Sequence, residues 1–218
     1  MTTSPLSSID VWALAAAERR SLAADLATLD RAAWNTRSLC GEWTVRETVA
    51  HLTAAASTGP WRWLASVLGA RFDFDLHNRR RLTERLGPDE TSTLAQFRQV
   101  VDSTTSTWGE TGMWLGEVIV HAQDIRRPLG LTTMPSPAAA AEVARCYAAR
   151  DFTVKGATVR RGLRLEAEDS AFAVGEGPLV TGSTTALVMV MAGRAAYLED
   201  LRGPGVQQLA GRIIPGAQ

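Results

Sequence analysis

The sequence predicts a mainly helical protein, in which a four-helix bundle is followed by a small α/β segment. Apolar residues recur every three or four positions along much of residues 8–127, as in helices that bury one face. The composition changes after Pro135-Ser136-Pro137, where short stretches of alternating polarity are separated by glycine. We therefore predict two domains, a helical bundle over residues 1–135 and a small α/β domain over residues 136–218.

Charge and composition restrict the class of protein. Lys plus Arg and Asp plus Glu both number 23, so the formal net charge is zero and nucleic acid is not the expected partner. Two cysteines are too few for a disulfide framework. The first residues, MTTSP, do not resemble a signal peptide, and no apolar run is long enough to span a bilayer. We expect a cytoplasmic protein without a membrane partner.

The bundle begins with two helices whose starts are marked by capping residues. Ser7 or Ser8 can cap a first helix over residues 8–30. Thr44 and Glu47 have the S/T-x-x-E spacing of a capping box, in which each side chain satisfies a backbone N–H of the first turn. We expect a second helix to start at this box and to run to residue 56 or beyond.

The remaining elements follow from the spacing of apolar residues and from breaks at glycine and proline. In the bundle we expect a continuation or a new helix at 61–68, a short helix within 71–90, and helices over 89–108 and 114–124. In the C-terminal segment we expect helices over 138–150 and 184–191, strands at 158–160, 163–167 and 172–174, and a last amphipathic piece over 206–213.

The helix over 114–124 carries a carboxylate and an imidazole in an apolar run. Glu117 and His121 are four residues apart, so they lie on one face of the helix, one turn from each other. Burying such groups is costly unless they are paired or bound. His51 interrupts a similarly apolar stretch of the second helix, and helices that face each other in a bundle can bring the three side chains together.

Two imidazoles and one carboxylate suit a divalent metal ion and leave coordination positions open. We predict a metal site formed by His51, Glu117 and His121, with zinc as the first candidate and nickel, iron or manganese as others. The alternative is that both histidines are core residues hydrogen-bonded to their neighbours and that Glu117 pairs with an arginine.

Three stretches of the chain resemble one protein family. They are residues 41–52 (GEWTVRETVAHL), residues 116–130 (GEVIVHAQDIRRPLG) and the helix and Gly-Arg segment of residues 182–194. The family is that of the mycothiol-dependent maleylpyruvate isomerases, actinobacterial proteins of the DinB-like superfamily of metal-binding four-helix bundles. The resemblance implies a DinB-like bundle in which His51, Glu117 and His121 are the metal ligands.

The resemblance also implies an activity. In the family, the metal is proposed to bind mycothiol, a low-molecular-weight thiol, and a metal-bound thiol loses its proton readily. For this chain the resemblance implies a metal-dependent isomerase or thiol S-transferase that acts on a small, electrophilic and acidic substrate. The alternative is a non-catalytic, metal-binding stress or regulatory protein of the same superfamily. The expected partners are a small-molecule thiol and substrate, and both a monomer and a homodimer are left open.

Four other side chains are candidates for contacts with the substrate. Arg194 is the first candidate and Arg202 the second to hold an acidic substrate, because the family's C-terminal domain is thought to supply an arginine and a guanidinium binds a carboxylate bidentately. The alternative for both is a solvated arginine on the surface that has no contact with the substrate. Trp114 shares the helix face of Glu117, and His77, in an arginine-rich stretch, either lines the mouth of the site or is simply exposed.

Two further residues have structural as well as functional interpretations. Asp124 is three residues after His121, where a carboxylate either orients a metal ligand or forms a salt bridge at the helix end. Cys40 is either a nucleophile or a buried thiol, and we expect the buried thiol because no basic partner is evident beside it in the sequence.

Overall fold

The computed structural model describes residues 7–69, 73–107 and 110–214, and at residues 62, 63, 65 and 74–79 it describes the backbone alone. The described chain forms two compact units, one of residues 7–133 and one of residues 134–214. The prediction that residues 1–135 and 136–218 form two independently folding domains stays a prediction.

The first unit is built from helices joined by turns. Its helices are α1 (Ser8–Leu26), α2 (Arg31–Trp34), α3 (Val45–Ala55), α4 (Pro60–Gly69), α5 (Phe74–Arg85), α6 (Glu90–Arg98) and α7 (Thr111–Arg126). Helix α1 packs chiefly on α7, whereas α3 packs on α5, α6 and α7. The buried core between them is apolar and includes Leu22, Leu26, Trp34, Val45, Val49, Leu52, Phe97, Ala122 and Ile125.

Capping residues start α1 and α3. The Ser7 side chain accepts from the Asp10 N–H, and the Asp10 carboxylate accepts from the Ser7 N–H. The capping box predicted for α3 is confirmed, since Thr44 Oγ1 accepts from the Glu47 N–H and the Glu47 carboxylate accepts from the Thr44 N–H at 2.8 Å. The box fixes where α3 begins, and thereby which face of the helix carries His51.

The helix predicted over 8–30 is too long by four residues. It ends at Leu26, because the side chain of Asp30 accepts from the Ala33 N–H at 2.8 Å and starts the short helix α2. A capping aspartate that interrupts an apolar period is therefore the reason for the error.

The helix predicted over 89–108 is also too long and ends at Arg98. Val100 and Val101 still pack against the core from the turns that follow, so the apolar spacing continues where the helix does not. Residues 108 and 109 lie outside the described chain. Helix α7, in contrast, begins at Thr111, three residues before the predicted start.

The second unit combines helices with a small sheet. In chain order the elements are α8 (Pro137–Ala149), α9 (Gly156–Val159), β1 (Arg164–Ala167), β2 (Ala173–Val174), β3 (Leu179–Gly182), α10 (Thr184–Met191), a 3₁₀ helix (Ala195–Asp200) and α11 (Val206–Ile213). Helix α10 consists of 8 residues, all of them buried, and it packs mainly on α8. The strand order is β2-β1-β3, with β1 antiparallel to β2 and parallel to β3.

Some C-terminal elements differ in type from the prediction. Residues 158–160, predicted as a strand, belong largely to the helical turn α9, where the Thr158 N–H donates to Asp151 Oδ1 at 3.0 Å. Strand β3 was not predicted, because its four residues follow Gly177-Pro178 and are too few to show alternation; pairing with β1 orders them. Among the described helices, none combines the length and apolarity needed to cross a membrane.

Candidate metal centre

Helices α3 and α7 carry the three predicted metal ligands. His51 lies on α3, whereas Glu117 and His121 lie on α7. Most residues of α7 are buried, so its polar side chains need partners inside the unit. The packing of α3 on α7 supplies one of these partners, His51.

The three side chains meet around one carboxylate oxygen. His51 Nε2 lies 2.7 Å from Glu117 Oε1, and His121 Nε2 lies 3.5 Å from the same oxygen. The two imidazole rings are nearly perpendicular, at 81°, with centroids 5.0 Å apart. One ligand atom of each residue lies within 4.8 Å of the ligand atoms of the other two. The structure therefore brings together all three residues that the sequence singled out.

The cluster is shielded but not sealed. The side chains of His51, Glu117 and His121 are 15%, 26% and 10% exposed. Trp43 lies beside it, with its ring centroid 4.8 Å from that of His51. The sequence prediction missed this neighbour, and the one signal for it is its position directly before the capping residue of α3.

Electrostatics in the cluster favour a charged carboxylate. Burial alone raises the pKa of Glu117, but the charge and hydrogen bonding of His121, followed by those of His51, hold the pKa well below its usual value of 4.5. For His121, burial lowers the pKa, but the Glu117 carboxylate and hydrogen bonds to Asp124 and Cys40 raise it well above 6.5. Glu117 is thus ionised, the form in which a carboxylate binds metal ions.

The second ring nitrogen of His121 faces another carboxylate. His121 Nδ1 lies 2.9 Å from Asp124 Oδ2, and the Asp124 side chain is fully buried. Cys40 Sγ belongs to the same group, with ligand atoms of His121 and Asp124 within 4.8 Å. The expectation of a buried Cys40 without a basic neighbour is therefore wrong, because the residue is half-buried and lies beside His121.

Residues 15–114 match the family model of the mycothiol maleylpyruvate isomerase N-terminal domain. The helical unit belongs to this domain family. Its fold agrees with the DinB-like four-helix bundle that the resemblance implied. No curated protein matches the chain by sequence.

Two solved structures are similar to the chain over nearly its whole length. They are mycothiol-dependent maleylpyruvate isomerase and a mutant of it in which one histidine is replaced by alanine, with TM-scores of 0.59 and 0.60. Each is 16% identical in sequence, and each comparison covers 93% of this chain and 96% of that chain. At this identity the similarity shows the fold, and it confirms the mainly helical architecture.

The other candidate residues are less completely defined. Trp114 is half-buried on α7, and its buried Nε1 has no hydrogen-bond partner among the described residues. His77 lies on α5, but its side chain is outside the described part of the chain. Arg194 is half-buried and Arg202 is exposed, both in the C-terminal unit, and their predicted roles stay predictions.

Proposed function

We propose that His51, Glu117 and His121 bind a divalent metal ion and that the protein is a metal-dependent enzyme that uses a low-molecular-weight thiol. The observation that carries the proposal is the meeting of two imidazole nitrogens and one carboxylate oxygen within 4.8 Å of one another. Two nitrogens and one oxygen are a donor set that zinc, nickel, iron and manganese accept. Three protein ligands also leave coordination positions for a small molecule.

The family supplies the class of reaction in this proposal. The helical unit belongs to a domain family described by mycothiol and maleylpyruvate isomerisation, so mycothiol is the first thiol to test. A divalent ion in this site would supply Lewis acidity, which lowers the pKa of a thiol that it binds. The substrate is then a small electrophile, and the reaction is an isomerisation or an S-transfer, according to whether the thiol leaves again.

The protein's own residues have distinct tasks in this reaction. His51, Glu117 and His121 hold the ion, and the burial of α7 around them limits the access of water. Trp114, one turn before Glu117, offers an indole N–H that no described residue accepts, and we assign it to a ligand in the site. Arg194 and then Arg202 remain the candidates for an acidic group of the substrate.

Metal content tests the first half of the proposal. Elemental analysis of the purified protein should find about one divalent ion per chain, as expected for a site with a single set of three ligands. His51→Ala, Glu117→Ala and His121→Ala should each lose the ion. His77→Ala is the matched control, because it removes the one histidine outside the cluster and should keep the ion. A wild-type protein without a stoichiometric ion, or an ion that survives His121→Ala, contradicts the site.

Turnover tests the second half. The metal-loaded protein is mixed with maleylpyruvate and with other small electrophiles, each with mycothiol, with a different thiol and without thiol. The proposal expects consumption that depends on both the ion and the thiol, and an increase in thermal stability when the thiol binds. If the ion is present but no thiol changes the rate for any electrophile, the non-catalytic metal-binding alternative replaces the enzyme.

A further inference from the structure

His121 is held between two carboxylates of its own helix. Glu117, His121 and Asp124 occupy positions i, i+4 and i+7 of α7, so they lie along one face of the helix. Nε2 of His121 is 3.5 Å from Glu117 Oε1, whereas Nδ1 is 2.9 Å from Asp124 Oδ2. The two ring nitrogens therefore face different partners.

The Asp124 carboxylate has a fixed position. Its side chain is 0% exposed, and a carboxylate in such a place needs hydrogen bonds to compensate for lost water. The Asp124 backbone carbonyl accepts from the Leu39 N–H at 2.9 Å, which ties this turn of α7 to the chain before α3. Asp124 is thus anchored through its backbone as well as through its side chain.

A neutral imidazole carries its proton on one nitrogen only, and a hydrogen-bond acceptor at that nitrogen decides which one. We propose that Asp124 is a positioning residue for the metal site: it accepts the Nδ1–H of His121, fixes the ring, and leaves the Nε2 lone pair directed at the ion. This inference rests on the proposed function, since it takes His51, Glu117 and His121 as the ligands.

The same atoms allow a second arrangement, in which Cys40, His121 and Asp124 are themselves the metal ligands. The hydrogen-bonded arrangement is favoured for two reasons. The 2.9 Å between Nδ1 and Oδ2 is the length of a charge-assisted hydrogen bond. In addition, the Nε2 atoms of His121 and His51 already lie beside the same oxygen, Oε1 of Glu117.

Metal affinity in the absence of any reaction is the first readout. The metal-free protein is titrated with Zn²⁺ against a competing chelator, after the unfolding of each metal-free variant has shown that it is folded. Asp124→Leu, which is close in size and excludes a replacement water, should weaken Zn²⁺ binding roughly 10–100-fold, as loss of the partner behind a ligating histidine does. Asp124→Asn keeps an acceptor without the charge, so it should weaken binding less than Asp124→Leu does.

The proton on His121 is the second readout. With only three histidines in the chain, the ring signals of the Zn²⁺-loaded protein can be assigned by NMR. The wild type should show a protected Nδ1–H of His121 at low field. This signal should move upfield in Asp124→Asn and further upfield in Asp124→Leu, where the N–H has no acceptor. If Asp124→Leu does not fold, the signal and the affinity of Asp124→Asn together decide the question.

Two controls separate positioning from other effects. Asp25→Asn alters a carboxylate of the same unit that contacts Arg126 instead of a ligand, and Cys40→Ser removes the thiol; both should keep the wild-type affinity for Zn²⁺. Wild-type affinity and an unchanged Nδ1–H signal in the Asp124 variants overturn the inference. So does a loss in either control as large as that in Asp124→Leu. A wild-type protein that binds no divalent ion is a different result, because it overturns the proposed function itself.

Discussion

One carboxylate oxygen of Glu117 lies beside the imidazoles of both His51 and His121. This arrangement makes the cluster sensitive to pH when no metal is bound. The lowered pKa of Glu117 means that its contribution to stability is present above 4.5 and is lost as the pH falls through the lowered value. The raised pKa of His121 means that its contribution is complete below 6.5 and is lost as the pH rises through the raised value. Both contributions are therefore complete between pH 4.5 and 6.5.

We predict the effect of Glu117→Gln on the metal-free protein from these directions. The free energy of unfolding, measured with urea after chelator treatment, should fall most between pH 4.5 and 6.5. The difference from wild type should shrink at higher pH, where His121 loses its proton, and at lower pH, where Glu117 gains one. Glu42→Gln, at a carboxylate that is 89% exposed, is the control and should have little effect. A difference that is constant with pH contradicts the coupling between Glu117 and His121.

Trp114 offers a second prediction for a single residue. Trp114→Phe keeps an aromatic ring but removes the indole N–H that has no acceptor among the described residues. Loss of one hydrogen bond to a ligand costs about 1 kcal/mol, so the KM for the thiol or the electrophile should rise about fivefold. Steady-state kinetics measure this change, and elemental analysis should show an unchanged metal content. An unchanged KM for both partners would leave the N–H without a role in binding.

Among the secondary-structure elements, α3 has the feature with the clearest consequence, its capping box. Thr44→Ala should lower the free energy of unfolding by about 1 kcal/mol, because the Glu47 N–H loses its acceptor and the Glu47 carboxylate loses the Thr44 hydroxyl. Chemical denaturation measures the change. Thr44→Ser keeps the hydroxyl and should stay close to wild type, so equal losses in Thr44→Ser and Thr44→Ala would show that packing of the methyl group matters instead.

The sequence predicted those parts of the site that lie on helices. His51, Glu117 and His121 interrupt apolar runs. The period of a helix then indicates that Glu117 and His121 share a face. Trp43 and Cys40 could not be placed in this way, because they lie in the connection before α3. The path of that connection depends on bonds between distant backbone groups, such as the Leu39 N–H to the Asp124 carbonyl, and these leave no period in the sequence.

Predicted element types failed where pairing with a distant segment decides the structure. The four residues of β3 become a strand because β1 lies beside them in parallel register. Gly156 permits the turn of α9 to pack closely, since a Cβ there would lie 2.5 Å from the Tyr147 carbonyl oxygen. Neither contact can be read from local spacing.

At the scale of the whole molecule, the connection between the two units should be the first site of proteolysis. Residues 131–136 have no regular secondary structure, and Thr132, Met134 and Ser136 are exposed. Brief treatment with proteinase K, which has broad specificity, should cut within residues 131–134 and release two fragments that mass spectrometry identifies. Earlier cleavage within α1, α3 or α7 would contradict the prediction of two domains that fold independently.

The half-buried carboxylate of Asp25 has a consequence for the order of folding. It accepts from Arg126 Nε at 2.7 Å and from Thr133 Oγ1 at 2.9 Å, although these partners follow it by 101 and 108 residues. A ribosome therefore releases α1 long before it has made the helix on which α1 packs. Contacts of such long sequence separation form late, because the intervening chain must first be ordered. The earliest helix to be synthesised is thus expected to be among the last to find its place, and its apolar stripe stays exposed to chaperones until α7 emerges.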